Sequence, residues 1–435
     1  MGHLNHLTGE YRALATRLGA GHVGFPEPTD PRARKAHREI LEILCTPEEA
    51  ALAARMPFLP ATLAELSRRF GMLPGNLEAR LGALCDKGLV FDIVHPDTGE
   101  VKYVLAPPIV GFFEFSMMRA HDGIPKKRMA EALDAYTRGD DTFARELFGH
   151  ETMVGRTLAR ESAFEDDLPE VLSWERASAL IAESRQRAVS LCYCRHKAEH
   201  LGARCAVPMD NCLSLNSGAD FVIRHGFGRA LGPSEALDIL AQARAGGLVQ
   251  IADNVQRRPS YICNCCACCC EQLRAVVELE LPAVVPSGFV PSHAAETCKG
   301  CSRCARACPV LAITMTAQRE RTRRKNELRP ILNPARCIGC GVCVDACPQH
   351  ALGLTRRAVQ PEVPAGTVER AVRMALERGR LGYLFDRGAG LGSGTLQRLL
   401  AGLTSLPAVQ RALASKQLRS RFVRRALARA HDPTG

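Results

Sequence analysis

Apolar positions in the first hundred residues recur three and four apart, and proline or glycine separates the runs. Between Arg32 and Cys45, Ile40, Leu41 and Leu44 share one helical face, with Asp30 as cap and Pro31 at the first helical position. Thr46-Pro-Glu-Glu49 opens a second helix as a capping box. Two more helical stretches, Ala61–Phe70 and Pro74–Gly88, flank a turn at Gly71. The period then changes to two over Leu89–Val94 and Val101–Leu105, with a turn at His95–Gly99, which predicts a hairpin. Helical patterning returns over Lys126–Gly139, Asp141–Phe148 and Leu172–Leu191. Phe221–Arg229 reads as strand or loop and Ser234–Ala243 as helix. Ala312–Met315 and Ala351–Leu354 read as short strands. Thr367–Arg378, Thr395–Thr404 and Pro407–Ala430 read as closing helices.

The order helix, turn, helix, hairpin over Ala61–Leu105 resembles the winged helix of many bacterial regulators. That resemblance raises DNA as a partner. A recognition helix should offer polar side chains to base edges and basic ones to phosphates. The candidate helix carries Asn76, Glu78, Arg80 and Lys87, and the hairpin tip carries Asp97 and Glu100. The acidic residues work against DNA, and a protein-contact role is the competing expectation.

The class expected is α+β and multidomain: a mostly helical body, a winged-helix-like N-terminal domain and, on the doubled C-x2-C-x2-C-x3-C-P run at Cys298–Pro309 and Cys337–Pro348, a module that resembles a ferredoxin-like dicluster fold. The divisions are an opening helix and linker at 1–30, the winged-helix-like domain at 31–107 and a helical region at 108–190. A Cys-rich domain at 191–278, the dicluster module at 279–358 and a basic helical tail at 359–435 follow.

Composition changes the picture through cysteine. Of 20 cysteines in 435 residues, all but Cys45 and Cys85 lie between Cys192 and Cys347. A chain this long builds a core without disulfides, so clustered C-x-C and C-x2-C spacings point to metal in a reducing compartment. Met1-Gly-His-Leu-Asn-His6 lacks a basic stretch followed by an apolar one, and the most apolar run, Tyr103–Met118, is interrupted by Pro107, Pro108 and Glu114. A cytoplasmic protein without a transmembrane segment is expected. The net charge of +11 selects no partner by itself. Arg319-Glu-Arg-Thr-Arg-Arg-Lys325 is a solvated hairpin or a docking patch for an acidic redox partner. The run Gly388–Gly394 lacks P-loop spacing and its lysine, so no nucleotide site is expected.

The most specific pattern is C-x2-C-x2-C-x3-C-P written twice. It comprises Cys298, Cys301, Cys304, Cys308 and Pro309, then Cys337, Cys340, Cys343, Cys347 and Pro348. These residues resemble the bacterial two-cluster ferredoxins, whose fourth cysteine in each run ligates the other cluster. The resemblance implies two [4Fe-4S] clusters, one on Cys298, Cys301, Cys304 and Cys347 and one on Cys337, Cys340, Cys343 and Cys308. Gly300, Gly339 and Gly341 would let the backbone pass close to sulfide. Zinc is the competing reading, and it prefers paired C-x2-C knuckles.

Ten further cysteines form two patches: Cys192, Cys194, Cys205 and Cys212, then Cys263, Cys265, Cys266, Cys268, Cys269 and Cys270. Unpaired thiols at this density invite oxidation, so further metal is expected. Each patch could hold a cluster, the first on its own four cysteines, or both could share a larger assembly. Zinc is the alternative. His196 and His200 are expected to be bystanders. The region resembles a type of bacterial iron–sulfur protein in which such a unit precedes a dicluster ferredoxin, and that resemblance implies no particular reaction. The function expected is electron transfer to or from a redox protein. The alternatives are a reductase with a catalytic Cys-rich centre and a redox-sensing winged-helix regulator. No small-molecule substrate is identifiable.

Overall fold

In the computed structural model, residue 7 and residues 9–164, 171–318 and 327–384 are described. Helices α1 (Gly9–Gly19), α2 (Pro31–Leu44) and α3 (Pro47–Ala53) come first. Asp30 accepts the Ala33 amide at 2.8 Å, and Thr46 and Glu49 cap each other's backbone, so the sequence signals and the helix starts coincide. Strand β1 (Ala61–Thr62), α4 (Leu63–Phe70) and α5 (Pro74–Asp86) lead into β2 (Val90–Val94) and β3 (Val101–Leu105). These strands pair in the order β1-β3-β2. Gly71, with φ of 66°, ends α4 in the left-handed conformation that glycine reaches without a Cβ penalty. Then follow α6 (Phe113–Met117), α7 (Lys126–Arg138), which packs along α2, and α8 (Thr142–Phe148).

The stretch 108–190, expected to be helical throughout, is where the main sheet begins. It contributes β4 (Gly155–Thr157) and β5 (Arg187–Leu191), and the helix expected over Leu172–Leu191 shrinks to α9 (Ala177–Glu183). The reason is burial on both faces. Ala188 enters one core and Val189 the other, so the strand shows no alternation of polarity. Helices α10 (Tyr193–His200), α11 (Asn216–Arg224), α12 (Pro233–Ala245) and α13 (Glu271–Glu278) alternate with β6 (Asp210–Leu215), β7 (Arg229–Ala230), β8 (Val249–Asp253) and β9 (Tyr261–Cys265). Phe221–Arg229, expected as strand or loop, starts in the last turn of α11, where Phe221 and Val222 join Ala219 in burying one helical face, and runs on as loop into β7.

The sheet order is β4-β8-β9-β6-β5-β7, antiparallel throughout. One face, with Val189, Leu213, Leu215, Ala252 and Ile262, packs with residues of α9 and α12. The other face, with Cys212, Val249, Ile251 and Cys265, joins the core built by the N-terminal helices. The β2–β3 hairpin is tied to this body: Phe91 meets Phe221 at 5.0 Å, and Asp92 accepts from Arg224 at 2.6 Å.

The last third holds β10 (Phe289–His293), α14 (Arg303–Ala307), β11 (Ile313–Gln318), β12 (Glu327–Leu332), α15 (Val342–Asp345) and β13 (Leu352–Arg356). β10 pairs with β13 and β11 with β12. Helices α16 (Thr367–Glu377) and α17 (Leu381–Leu384) follow, and Arg378 and Arg380 return to Glu146 of α8. The basic run Arg319–Lys325, the glycine run 388–394 and the helices expected at Thr395–Thr404 and Pro407–Ala430 lie outside the described residues. Among the described residues no helix is long and apolar enough to cross a membrane.

Candidate metal centres

The doubled motif folds into two loops of the same construction. Each loop carries its first three cysteines around a glycine in the left-handed region, Gly300 at φ 66° and Gly339 at φ 67°. The need for glycine there is steric as well: a Cβ on Gly339 would stand 2.2 Å from the Phe289 carbonyl oxygen, and one on Gly300 2.5 Å from that of Leu328. Each fourth cysteine is followed by a residue with positive φ, Leu311 at 54° and His350 at 47°. That turn aims the next amide back at sulfur: Ala312 N–H donates to Cys308 Sγ at 3.1 Å, and Ala351 N–H to Cys347 Sγ at 3.3 Å.

Two cavities result. One, of about 340 Å³, is lined by Cys298, Cys301, Cys304 and Cys347. The other, of about 290 Å³, is lined by Cys308, Cys337, Cys340 and Cys343. Each takes three sulfurs from one run and the fourth from the other. In neither quartet do three sulfurs all come within 4.8 Å of one another, a wider spacing than four thiolates take around one tetrahedral ion. The cavities differ in exposure. Cys301 is exposed and Cys298 and Cys347 are half-buried, whereas Cys337, Cys340 and Cys343 are all buried. Cys304 and Cys343 lie in one apolar cluster with Ile313 and Leu352.

The other ten cysteines sort differently from the two patches seen in the sequence. Strand alternation places Cys263 and Cys265 on one sheet face. The pairing of Leu213 with Ile262 sets Cys212 opposite Cys263 on that face. Cys192, at the N-terminus of α10, and Cys194 in its first turn come to the same place, as does Cys270 at the N-terminus of α13. Neighbouring sulfurs interact along the string Cys192, Cys194, Cys270, Cys265, Cys263, Cys212. Shared S–H bonds make the acidity alternate along it. Cys192, Cys270 and Cys263 are pulled down by a neighbouring thiol, and Cys194, Cys265 and Cys212 are pushed up. Amide donors in the first turns of the two helices support Cys192 and Cys270 as thiolates.

Cys205 leaves Cys192, Cys194 and Cys212 and joins the turn between β9 and α13. The sulfurs of Cys205, Cys266, Cys268 and Cys269 all lie within 4.8 Å of one another. So the run Cys263–Cys270 splits: Cys263, Cys265 and Cys270 face inward, and Cys266, Cys268 and Cys269 form an outer group. His196 and His200 face each other at 3.1 Å, and His196 Nδ1 meets the Met117 carbonyl at 2.6 Å.

Two residues that the sequence did not single out stand beside these thiols. Arg195 is completely buried. It donates to Asn211 Oδ1 and to the Asn264 carbonyl, both at 2.7 Å, while its Nε has no hydrogen-bond partner among the described residues. No carboxylate pairs with it there. Burial works against its charge, and the thiols of Cys192, Cys266 and Cys265 outweigh that. A buried cation needs a counter-charge, and the partners of this one that are drawn toward thiolate are Cys192 of the inner string and Cys205 of the outer group. Its signal in the sequence was an arginine directly after the C-x-C pair.

The second is Glu114. Its carboxyl is pushed up to about 7 by burial, against the amides of Gly111 and Val110, and it lies near Cys263. It accepts the Gly111 amide at 3.0 Å. Val110 just ahead has φ 50°, a strained position for a β-branched residue. The lone acid inside the apolar run Tyr103–Met118 was the visible trace of this feature.

The inner string and the second cavity belong to one core. Cys212, Cys265 and Cys270 belong to the same large apolar cluster as Cys337, Ile338 and Cys340, and Leu273, Val276, Val284 and Val285 are members of it too. The join is hydrogen-bonded as well: Thr157 N–H to the Val285 carbonyl at 2.8 Å, Ser287 N–H to Ile338 at 2.9 Å and Arg160 N–H to Cys340 at 3.1 Å. Phe289 of β10 packs against Phe164 at 4.7 Å.

Residues 297–351 match a family model described as a 4Fe-4S dicluster domain. No curated protein and no solved structure matches the chain.

Proposed function

We propose that this chain is an iron–sulfur electron-transfer protein with two [4Fe-4S] clusters in the 279–358 module and an inner centre on cysteines drawn from Cys192, Cys194, Cys212, Cys263, Cys265 and Cys270. The observation that carries this reading is the ordering of the three sites. The quartet containing Cys301 reaches solvent through that cysteine, three of the four cysteines in the quartet containing Cys340 are buried with Cys308 half-buried, and Cys212, Cys265 and Cys270 of the inner string belong to the same apolar cluster as Cys337 and Cys340. Bound clusters would supply one-electron chemistry. The residues hold the sites in series, exclude water, and set potential through N–H···S bonds and burial. The exposed end suits a redox protein as partner. Among the described residues nothing recommends a nucleic acid: the hairpin of the winged-helix-like segment 31–107 is docked on α11, and α5 turns Glu78 outward beside Asn76 and Arg80.

A second reading is a reductase whose inner centre transforms a small molecule. Glu114, a carboxylate set beside the inner thiols by a strained loop, favours it. Oxygen-free purification with iron and sulfide analysis tests the first reading. About twelve irons per chain or more is the expected result, about eight would confine clusters to the dicluster module, and a colourless protein would remove the proposal.

A further inference from the structure

Among the described cysteines, the outer four alone lie all within 4.8 Å of one another. Cys205 Sγ stands 3.7 Å from Cys266 Sγ and 3.8 Å from Cys269 Sγ, and Cys268 Sγ stands 3.7 Å from Cys269 Sγ. Four thiolates around one tetrahedral ion with metal–sulfur bonds of about 2.3 Å must be about 3.8 Å apart, the edge of that tetrahedron. A cubane gives each thiolate its own iron at a separate corner, which drives the sulfurs further apart, as in the two dicluster cavities.

We infer that Cys205, Cys266, Cys268 and Cys269 bind a single zinc ion, a structural site separate from the electron path. Zinc fits on three grounds. The donor set is a closed tetrahedron of four cysteine sulfurs with no position for water or substrate. Zinc outranks ferrous iron at such a site in the divalent series. The net negative charge of a four-thiolate zinc site is met by Arg195, completely buried and interacting with Cys266 and Cys205 of the outer group as well as Cys192 and Cys265. The ion would fasten the turn between β9 and α13 to the loop after α10. Cys270 N–H already bonds the Cys266 carbonyl across that turn at 3.2 Å. The inference builds on the reading of the inner string as an iron–sulfur centre, but zinc content tests it and iron content tests that reading, so the two fail separately.

The test is elemental analysis of the full chain purified without oxygen, beside the Cys205→Ser, Cys268→Ser double variant. Wild type should hold one zinc per chain, and the variant should lose it with iron and sulfide unchanged. Wild-type protein without zinc, or a variant that loses iron and sulfide in place of zinc, would overturn the inference. If the variant does not fold, X-ray absorption at the zinc edge of the wild-type protein decides. Four sulfurs at about 2.3 Å are expected. Nitrogen or oxygen ligands, or a high-spin ferric signal from a lone iron, would overturn it.

Discussion

In the dicluster module each thiol quartet comes from one short loop plus one cysteine of the other loop, and the spacing of the loop is the spacing of the thiols. In the unit between Cys192 and Cys270 the thiols come from two strands, two helix N-termini, a turn and the loop after α10, and neighbours in sequence go to different groups. Cys265 and Cys266 are adjacent, yet one faces the inner string and the other the outer group. The first region holds its sites by local backbone geometry, with glycine at Gly300 and Gly339 and returning amides at Ala312 and Ala351. The second relies on tertiary packing and on one buried cation. The lesson is that a loop motif can be moved between proteins as a piece, whereas a site built from a sheet face stands or falls with its domain.

This contrast can be broken most forcefully at Arg195. Arg195→Met leaves the thiolates of the second region without their counter-charge and should cost about 3–5 kcal/mol, the usual penalty for removing one partner of a buried pair. Metal should be lost from that region while the dicluster module keeps about eight irons. Arg195→Lys should not rescue it, since the planar fork serves Asn211 and Asn264 together. Metal analysis with anaerobic melting checks both, and a fully loaded Met variant would show that the cation is dispensable.

The converse change is Gly339→Ala. Left-handed strain of about 1–2 kcal/mol and displacement of the Phe289 carbonyl by about 1–3 kcal/mol should empty the buried dicluster cavity. The outer thiol group should be untouched. Spectra that match wild type would mean the loop tolerates a Cβ that the geometry forbids.

A smaller effect of opposite sign is expected at Leu311, which is 56% exposed and held at φ 54°. Leu311→Gly relieves strain and gives up little buried surface, so it should raise stability by up to about 1 kcal/mol. A loss of that size in an anaerobic melt would show that the leucine side chain matters more than its backbone.

The smallest effect concerns the seam between the N-terminal hairpin and the Cys-rich unit. Burial lowers the pKa of His225, but its hydrogen bonds to Asp92 and Asp86 outweigh that and raise it. A raised folded value means the stabilisation is full below the ordinary value of about 6.5 and fades as pH rises through the folded one. The melting temperature should fall slightly just above that pH, and His225→Gln should flatten the fall. An unchanged slope in the variant would place the pH dependence elsewhere.

Much of the fold could be read from the sequence where signals are local. The caps at Asp30 and Thr46, the turn at Gly71 and the hairpin at Val90–Leu105 depend on a few adjacent residues. The doubled motif likewise spells out which cysteines share a cavity. β5 was missed because a strand buried on both faces carries no period of two. The grouping of Cys205 with Cys266, Cys268 and Cys269 was missed because it depends on strand register and on where α10 ends, neither of which spacing encodes. Arg195 and Glu114 were missed for a related reason: a single charged residue in an apolar setting shows its partner only after folding.

The central claim is that the exposed quartet, the buried quartet and the inner string lie in series. Rapid mixing with a reduced protein donor, following the inner centre spectroscopically in wild type and in Cys301→Ser, tests it most directly. The account predicts that loss of the exposed cluster slows reduction of the inner centre by at least about tenfold, equivalent to ~1.4 kcal/mol of barrier. An unchanged rate would mean that electrons reach the inner centre by another route, and would contradict it.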